Sequence, residues 1–210
     1  MRMAPAMMVV TAVMVLPALT ACFSGLNSKL PAQQRYVLQP AVATPPAAAA
    51  ARTGSVEVLR PSAAAGLGGD GIAVLRPGAR LDYYSNARWA GDAPSTLQAL
   101  VIESLRNADR FATVESDSGP FASQYILGLE LEHFEAQYRG DGPPSIELTL
   151  VCSLGRRSDR TVIVSFTAHS SVQADADRMQ AVIAAFEQAT AQALAQVTAN
   201  IGPPTAAAAP

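Results

Sequence analysis

The stretch Ser145-Ile146-Glu147-Leu148-Thr149-Leu150-Val151-Cys152-Ser153-Leu154 alternates almost without interruption. Ile146, Leu148, Leu150, Cys152 and Leu154 fall on one side of an extended chain, and Glu147, Thr149 and Ser153 on the other. A period of two means a strand with one dry face and one wet face. The next segment repeats the pattern after a polar turn at residues 155–160. There Val162, Val164, Phe166 and Ala168 alternate with Thr161, Ser165, Thr167 and His169. Upstream, Tyr125, Leu127, Leu129 and Leu131 point one way, but Phe134, Ala136 and Tyr138 form the apolar set afterwards. A one-residue slip flips every side chain, so this change of parity predicts a bulge near His133. Alternating strands joined by short polar turns predict an antiparallel meander.

Two amphipathic helices flank this core. The first starts between Asp92 and Ser95, with Pro94 suited to a first turn and Ser95 followed by Gln98 reading as a capping box. Leu97, Leu100, Val101, Ser104, Leu105 and Ala108 share one face, while Gln98, Glu103 and Arg106 lie elsewhere. Asn107 and Asp109 end it. The second runs from about Asp175 to Ala199. Its stripe is Met179, Val182, Ile183, Phe186, Thr190, Ala193, Leu194 and Val197, and Gly202-Pro203-Pro204 stops it. Shorter strands are expected at 35–38, at 55–59 with Val56 and Val58 on one face, at 71–76 before Pro77-Gly78, and at 111–115. Residues 40–52 contain Pro45-Pro46 and Ala47 to Ala51, too few alanines for a stable helix in water, and are read as a mobile connection. Residues 62–71 are read as an Ala- and Gly-rich loop. The expected fold class is α+β: an antiparallel or mixed sheet with two main amphipathic helices packed on one face, in a single domain.

The start of the chain says where that domain resides. Arg2 precedes an almost wholly apolar run at residues 6–16, Pro17 breaks it, and Leu19-Thr20-Ala21-Cys22 follows. This is the layout of a secretory signal peptide, and the run is too short to span a bilayer as a helix. Leu-Thr-Ala-Cys resembles the bacterial lipobox, in which the thiol is acylated, the peptide is cut before the cysteine and the new amine is acylated. Each buried methylene contributes about 0.8 kcal/mol, so two or more chains hold firmly. The expected organisation is a lipoprotein signal peptide at 1–21, a lipid-anchored tether at 22–34, the α/β domain at 35–200 and a disordered tail at 201–210. The tether reaches about 40 Å at most. Phe23 after the cysteine, rather than aspartate, resembles outer-membrane sorting, so the expected location is the periplasmic face of that membrane, in a Gram-negative envelope.

Composition removes several classes of function. Fifteen Lys plus Arg stand against seventeen Asp plus Glu, a net charge of −2, with no basic run. Nucleic acid is therefore not an expected partner. Of two cysteines, Cys22 is assigned to the anchor, which leaves Cys152 without a partner for an intramolecular disulfide. No cysteine or histidine pair has zinc-like spacing, so no metal and no cofactor is expected. Gly66-Leu67-Gly68-Gly69 lacks the lysine and helix of a phosphate loop. Glu130 and Glu132 share a strand face near His133 and Glu135, which permits a carboxylate pair. The simpler reading is a solvated outer face. Nothing brings a nucleophile, a base and an orienting group together, so no catalytic residue is assigned.

Residues 81–89, Leu-Asp-Tyr-Tyr-Ser-Asn-Ala-Arg-Trp, hold the single tryptophan and two of five tyrosines. One reading is packing, with Trp89 against the following helix and a tyrosine hydroxyl at the rim. The other is a partner contact through Tyr83, Tyr84, Asn86, Arg88 and Trp89. This motif, with Pro94 before the helix, resembles the ABC-type transport auxiliary lipoprotein family, the PqiC-like proteins. Tyr36-Val37-Leu38, Phe134-Glu135 and Ala184-Ala185-Phe186-Glu187-Gln188-Ala189 add to the likeness, which covers residues 35–200. The resemblance implies a compact α/β domain and a non-catalytic, periplasm-facing accessory of an ABC/MCE-type lipid transport system that supports membrane integrity. The implied partners are an MCE-domain protein and inner-membrane transporter subunits, and a homo-oligomer is left open. The competing reading is a tethered module that activates a cell-wall enzyme or assists outer-membrane assembly.

Overall fold

A computed structural model describes residues 33–41 and 53–202. Cys22, the signal peptide, most of the tether and most of the 40–52 connection lie outside the described residues.

The meander forms as the alternation requires. β7 (Tyr125–Gln137), β8 (Ser145–Arg156) and β9 (Val162–Gln173) pair antiparallel in sequence. Ile146, Leu148, Leu150, Cys152 and Leu154 are all fully buried. In β7 the register slips between Leu131 and His133, leaving Glu132 as the extra residue. That bulge lets Leu131 and Phe134 face the same core. At the far end Val162 departs from the expected pattern and is 62% exposed. A second slip, where Leu154 faces Val164 but Gly155 faces Val162, removes it from the inward row.

The opposite edge of β7 is lined by three short strands in turn, all parallel to it. β2 (Ser55–Val58) pairs near its start, β3 (Ser62–Ala63) near its middle and β4 (Gly71–Arg76) near its end. β3 falls inside the segment expected to be loop. Beyond β4 lie β5 (Arg80–Trp89), antiparallel, and β1 (Gln34–Tyr36), parallel to β5. β6 (Thr113–Ser116) pairs parallel with β2. The result is one mixed sheet.

Helix α1 (Ala93–Ala108) lies against β6 and β2, and α2 (Met179–Asn200) crosses β8 and β9. The N-cap of α1 is Asp92 rather than Ser95: its carboxylate accepts from the Ser95 N–H at 2.9 Å. Both residues suit a cap by type, and placing Pro94 in the first turn requires the cap to precede it. Gln98, expected away from the core, is buried, and its amide donates to the Val58 carbonyl and to Asp117 at 2.9 and 3.0 Å. In α2, Val182, Phe186, Leu194 and Val197 are fully or almost fully buried. At about 1.5–3 kcal/mol each, they form much of the helix's hold on the sheet. Ile201 just past α2 is fully buried, and its N–H bonds the Val197 carbonyl.

Candidate functional site

The aromatic motif folds as strand β5, and the loop before β4 wraps onto it. Ala73 faces Tyr83, but Gly71 faces Arg88, so residues 84–87 bulge out of the ladder. Strand geometry then divides the motif. Trp89 and Ala87 turn into the core, whereas Tyr83 and Asn86 are exposed.

Trp89 stacks on Phe134 of β7 with centroids 5.5 Å apart and meets Phe186 of α2 edge-on at 5.1 Å. Phe134 and Phe186 are themselves 5.0 Å apart, which closes an aromatic triad. The rings that hold Trp89 come from the central strand and the second helix. The hairpin to β4 and the pairing of β4 with β7 carry Trp89 to Phe134, a long-range relation that local sequence does not contain.

The outward side is built on glycine. A Cβ at Gly71 would lie 2.6 Å from the Tyr83 ring, so only glycine lets that ring lie across the backbone. Gly66, with φ of +87°, turns the loop back, and its carbonyl accepts from the Tyr83 hydroxyl at 2.8 Å. Asp70 ties the loop to two strands. Its carboxylate pairs with Arg88 at 2.8 Å and more loosely with Arg35 at 3.7 Å, while its carbonyl accepts from the Trp89 N–H. Arg88 also donates to Gln33 at 3.2 Å. Between loop and strand lies an open cleft of about 490 Å³, lined by Asp70, Tyr83, Tyr84 and Arg88 among others.

Tyr84 is half-buried, and its hydroxyl is 3.0 Å from that of Tyr138, which donates to Asp177 at 2.6 Å. The Arg76 guanidinium sits over the Tyr138 ring. Burial raises the pKa of both phenols, and for Tyr138 the bond to Asp177 raises it further. They stay protonated and act as struts rather than as acids.

The carboxylates singled out from sequence are not brought together as a pair. Glu130 and Glu132 are exposed, and the bulge takes Glu132 out of the register of Glu130. The structure instead pairs Glu135 with His133 and sets beside them residues of β8 and β9 that sequence reasoning did not connect. Glu135, 4% exposed, accepts from the Phe134 N–H and meets His133 Nδ1, both at 2.7 Å. Across the ladder it faces Glu147, which accepts from Ser171 at 2.8 Å and lies 3.9 Å from His169 Nε2. His169 Nδ1 is 3.1 Å from the Thr149 hydroxyl. Both histidines thus share the outer face of the meander: His133 bonds within β7, and the Thr149–His169 and Glu147–Ser171 bonds link β8 with β9. The shared parity of odd-numbered residues was the available signal, but the register was not. Among the described residues, no group of three His, Cys, Asp or Glu is arranged to hold a metal ion, and no helix is long and apolar enough to cross a membrane.

Cys152 is a buried free thiol whose pKa burial pushes up to about 12. It is a core residue and not a nucleophile.

The described residues form a sheet with helices packed on its inner side and hydrogen-bonded links on its outer side. The chain belongs to the ABC-type transport auxiliary lipoprotein component family, whose model matches residues 36–198. It is a non-catalytic accessory component of an ABC/MCE-type transport system, and its family is a class of periplasm-facing envelope lipoproteins. Among solved structures it is similar to protein XCC0632 from Xanthomonas campestris, at 29% identity and a TM-score of 0.71, covering 79% of this chain and 92% of that one. It also shares its fold with an uncharacterised protein at 15% identity and a TM-score of 0.61, covering 80% and 98%. No curated protein sequence matches it.

Proposed function

We propose that this chain is acylated at Cys22, sits on the periplasmic face of the outer membrane, and holds an MCE-domain protein and its inner-membrane transporter subunits in a lipid transport path. Leu19-Thr20-Ala21-Cys22 supports the anchor, and the family match across residues 36–198 supports the machinery. The match carries the reading. Residues 1–21 are removed in this scheme, and residues 22–34 leash the body near its own membrane.

Tyr83, Asn86 and Arg88 offer the contact surface for the partner protein. They lie beside the glycine loop, with Tyr83 and Asn86 exposed and Arg88 part-exposed. Tyr84 supports that surface from behind through Tyr138, and Trp89 fixes the strand from the core.

Crosslinking in cells followed by purification of the tagged chain tests the reading. The expected result is enrichment of an MCE-domain protein over an unrelated lipoprotein, reduced by Tyr83→Ala with Arg88→Ala. Equal recovery with the unrelated lipoprotein would refute the partnership.

A further inference from the structure

The outer face of the sheet has a depression where β7 begins. Across the β7–β8 ladder Ile126 faces Gly155, and Gly128 faces Ser153. Glycine inside a strand weakens it, and often marks a place where a ligand or another backbone comes close. Neither glycine is there for the sake of the backbone. Neither has a positive φ, and an added Cβ would meet only ordinary contacts: 3.7 Å from the Ser153 carbonyl oxygen at Gly128, and 3.6 Å from that of Thr161 at Gly155. What the two glycines supply is space, an open groove of about 540 Å³ floored by Gly128, Ser153 and Gly155.

Three arginines, Arg156, Arg157 and Arg160, line the same groove. Two are held by partners. Arg156 pairs with Asp159 at 2.9 Å, and Arg157 pairs with Glu57 and donates to the Ser123 carbonyl at 2.8 Å. Arg160 differs. Its guanidinium makes no hydrogen bond or ion pair among the described residues. Its backbone has φ of +58°, a left-handed conformation that is costly for a residue with a Cβ. Three guanidinium groups against two carboxylates leave one positive charge uncompensated.

Apolar side chains form the walls. Ile126 and Val162 both line the groove. The slip between Leu154 and Gly155 that takes Val162 out of the inner row leaves it 62% exposed here. An unpartnered arginine in a strained conformation, two glycines that the backbone does not need and an apolar residue turned outward meet at one place. Backbone strain of this kind clusters at ligand clamps and other functional sites.

We propose that this groove binds a phosphate ester carrying apolar chains, the phosphate and glycerol of an anionic phospholipid. Arg160 donates to the phosphate, whose oxygens suit the planar guanidinium fork. Arg156 shares it, because its exposed pair with Asp159 is weakly held in water. The glycerol lies over Gly128 and Gly155, and the acyl stems run along Ile126 and Val162. The groove adjoins the start of β7, whereas β4, and β5 beyond it, adjoin the end of that strand. It therefore does not depend on the partner surface at Tyr83.

The full-length, isotope-labelled chain in non-ionic detergent is titrated with three probes: dihexanoyl phosphatidylglycerol, uncharged dihexanoylglycerol and inorganic phosphate. The expected result is saturable amide shifts at Gly128, Ser153, Arg160 and Val162 with the phospholipid. Inorganic phosphate should bind at least about tenfold more weakly, since it leaves the apolar walls empty, and dihexanoylglycerol should give no saturable shift. No saturation with the phospholipid, or an equal response to either other probe, would overturn the proposal. Arg160→Gly relieves the left-handed backbone, so its melting temperature should rise while its affinity for the phospholipid falls about tenfold. Gly128→Val fills the groove and should bind as weakly. Arg80→Ala removes an exposed arginine on the far flank and should bind like the native chain. Undiminished binding by Arg160→Gly or Gly128→Val, or an equal loss in Arg80→Ala, would overturn it as well.

Discussion

At one flank of the sheet Asp70, Arg88, Arg35 and Gln33 lock the glycine loop, β5 and β1 together, and Trp89 drives the strand into the core. At the other flank β9 and its two flanking residues, 161–174, carry no Asp, Glu, Lys or Arg, with Gln196 closing one residue of the strand's edge. The first flank is finished by side chains, and the second leaves backbone groups without partners among the described residues. The lesson is that the motif most readily noticed in sequence serves chiefly to hold its own flank together. The plain Ser/Thr strand is the one left able to pair.

The largest expected effect is on the closed flank. Trp89→Ala removes the centre of an aromatic triad and should cost about 3–5 kcal/mol, measured by denaturant unfolding. Phe166→Ala on the open flank should cost less, about 1–2 kcal/mol, because its ring is only partly buried. Equal costs would erase the contrast between the flanks.

Next in size is the cap of α1. Asp92→Ala loses the bond to the Ser95 N–H and the contact with Arg60 at 2.7 Å, and should cost about 1 kcal/mol. Asp70→Ala should cost less, about 0.5 kcal/mol, because its ion pairs are part-exposed and screened.

A pH titration of stability gives a smaller signal. Burial works to raise the pKa of Asp92, but the Ser95 N–H and Arg60 outweigh it and hold the carboxyl below its ordinary value. Hydrogen bonds from Gln98 and from the Arg60 N–H do the same for Asp117. A folded pKa below the unfolded one contributes stability above the ordinary carboxylate range and loses it as pH falls through the depressed values. The acid limb of the stability curve should therefore flatten in Asp92→Asn and Asp117→Asn. An unchanged acid limb would count against these contacts. The smallest effect is no reaction at all: Cys152 should label with a thiol reagent at neutral pH only after unfolding.

The parts of the fold legible in sequence are those set by local pattern. β8 and β9 follow from alternation, the bulge beside His133 from a change of parity, and the stripe of α2 from its 3.6-residue spacing. The parallel pairings of β2, β3 and β4 with β7 were not legible, since they join residues far apart: the helix between them permits a parallel crossover but does not say which strand pairs with which. β5 was obscured for another reason: the bulge at 84–87 breaks its alternation. For the site, residue type pointed to Tyr83, Tyr84, Asn86, Arg88 and Trp89, but side-chain direction within the strand decides which turn inward. Nothing local marked Asp70, or Gln33 across the sheet, as partners of Arg88.

The proposed role needs a body held at a membrane by acyl chains, and mass spectrometry of the mature N-terminal peptide tests that most directly. The prediction is a chain beginning at Cys22 and carrying thioether-linked diacylglycerol and an amide-linked acyl group. A chain beginning elsewhere, or an unmodified Cys22, would contradict it.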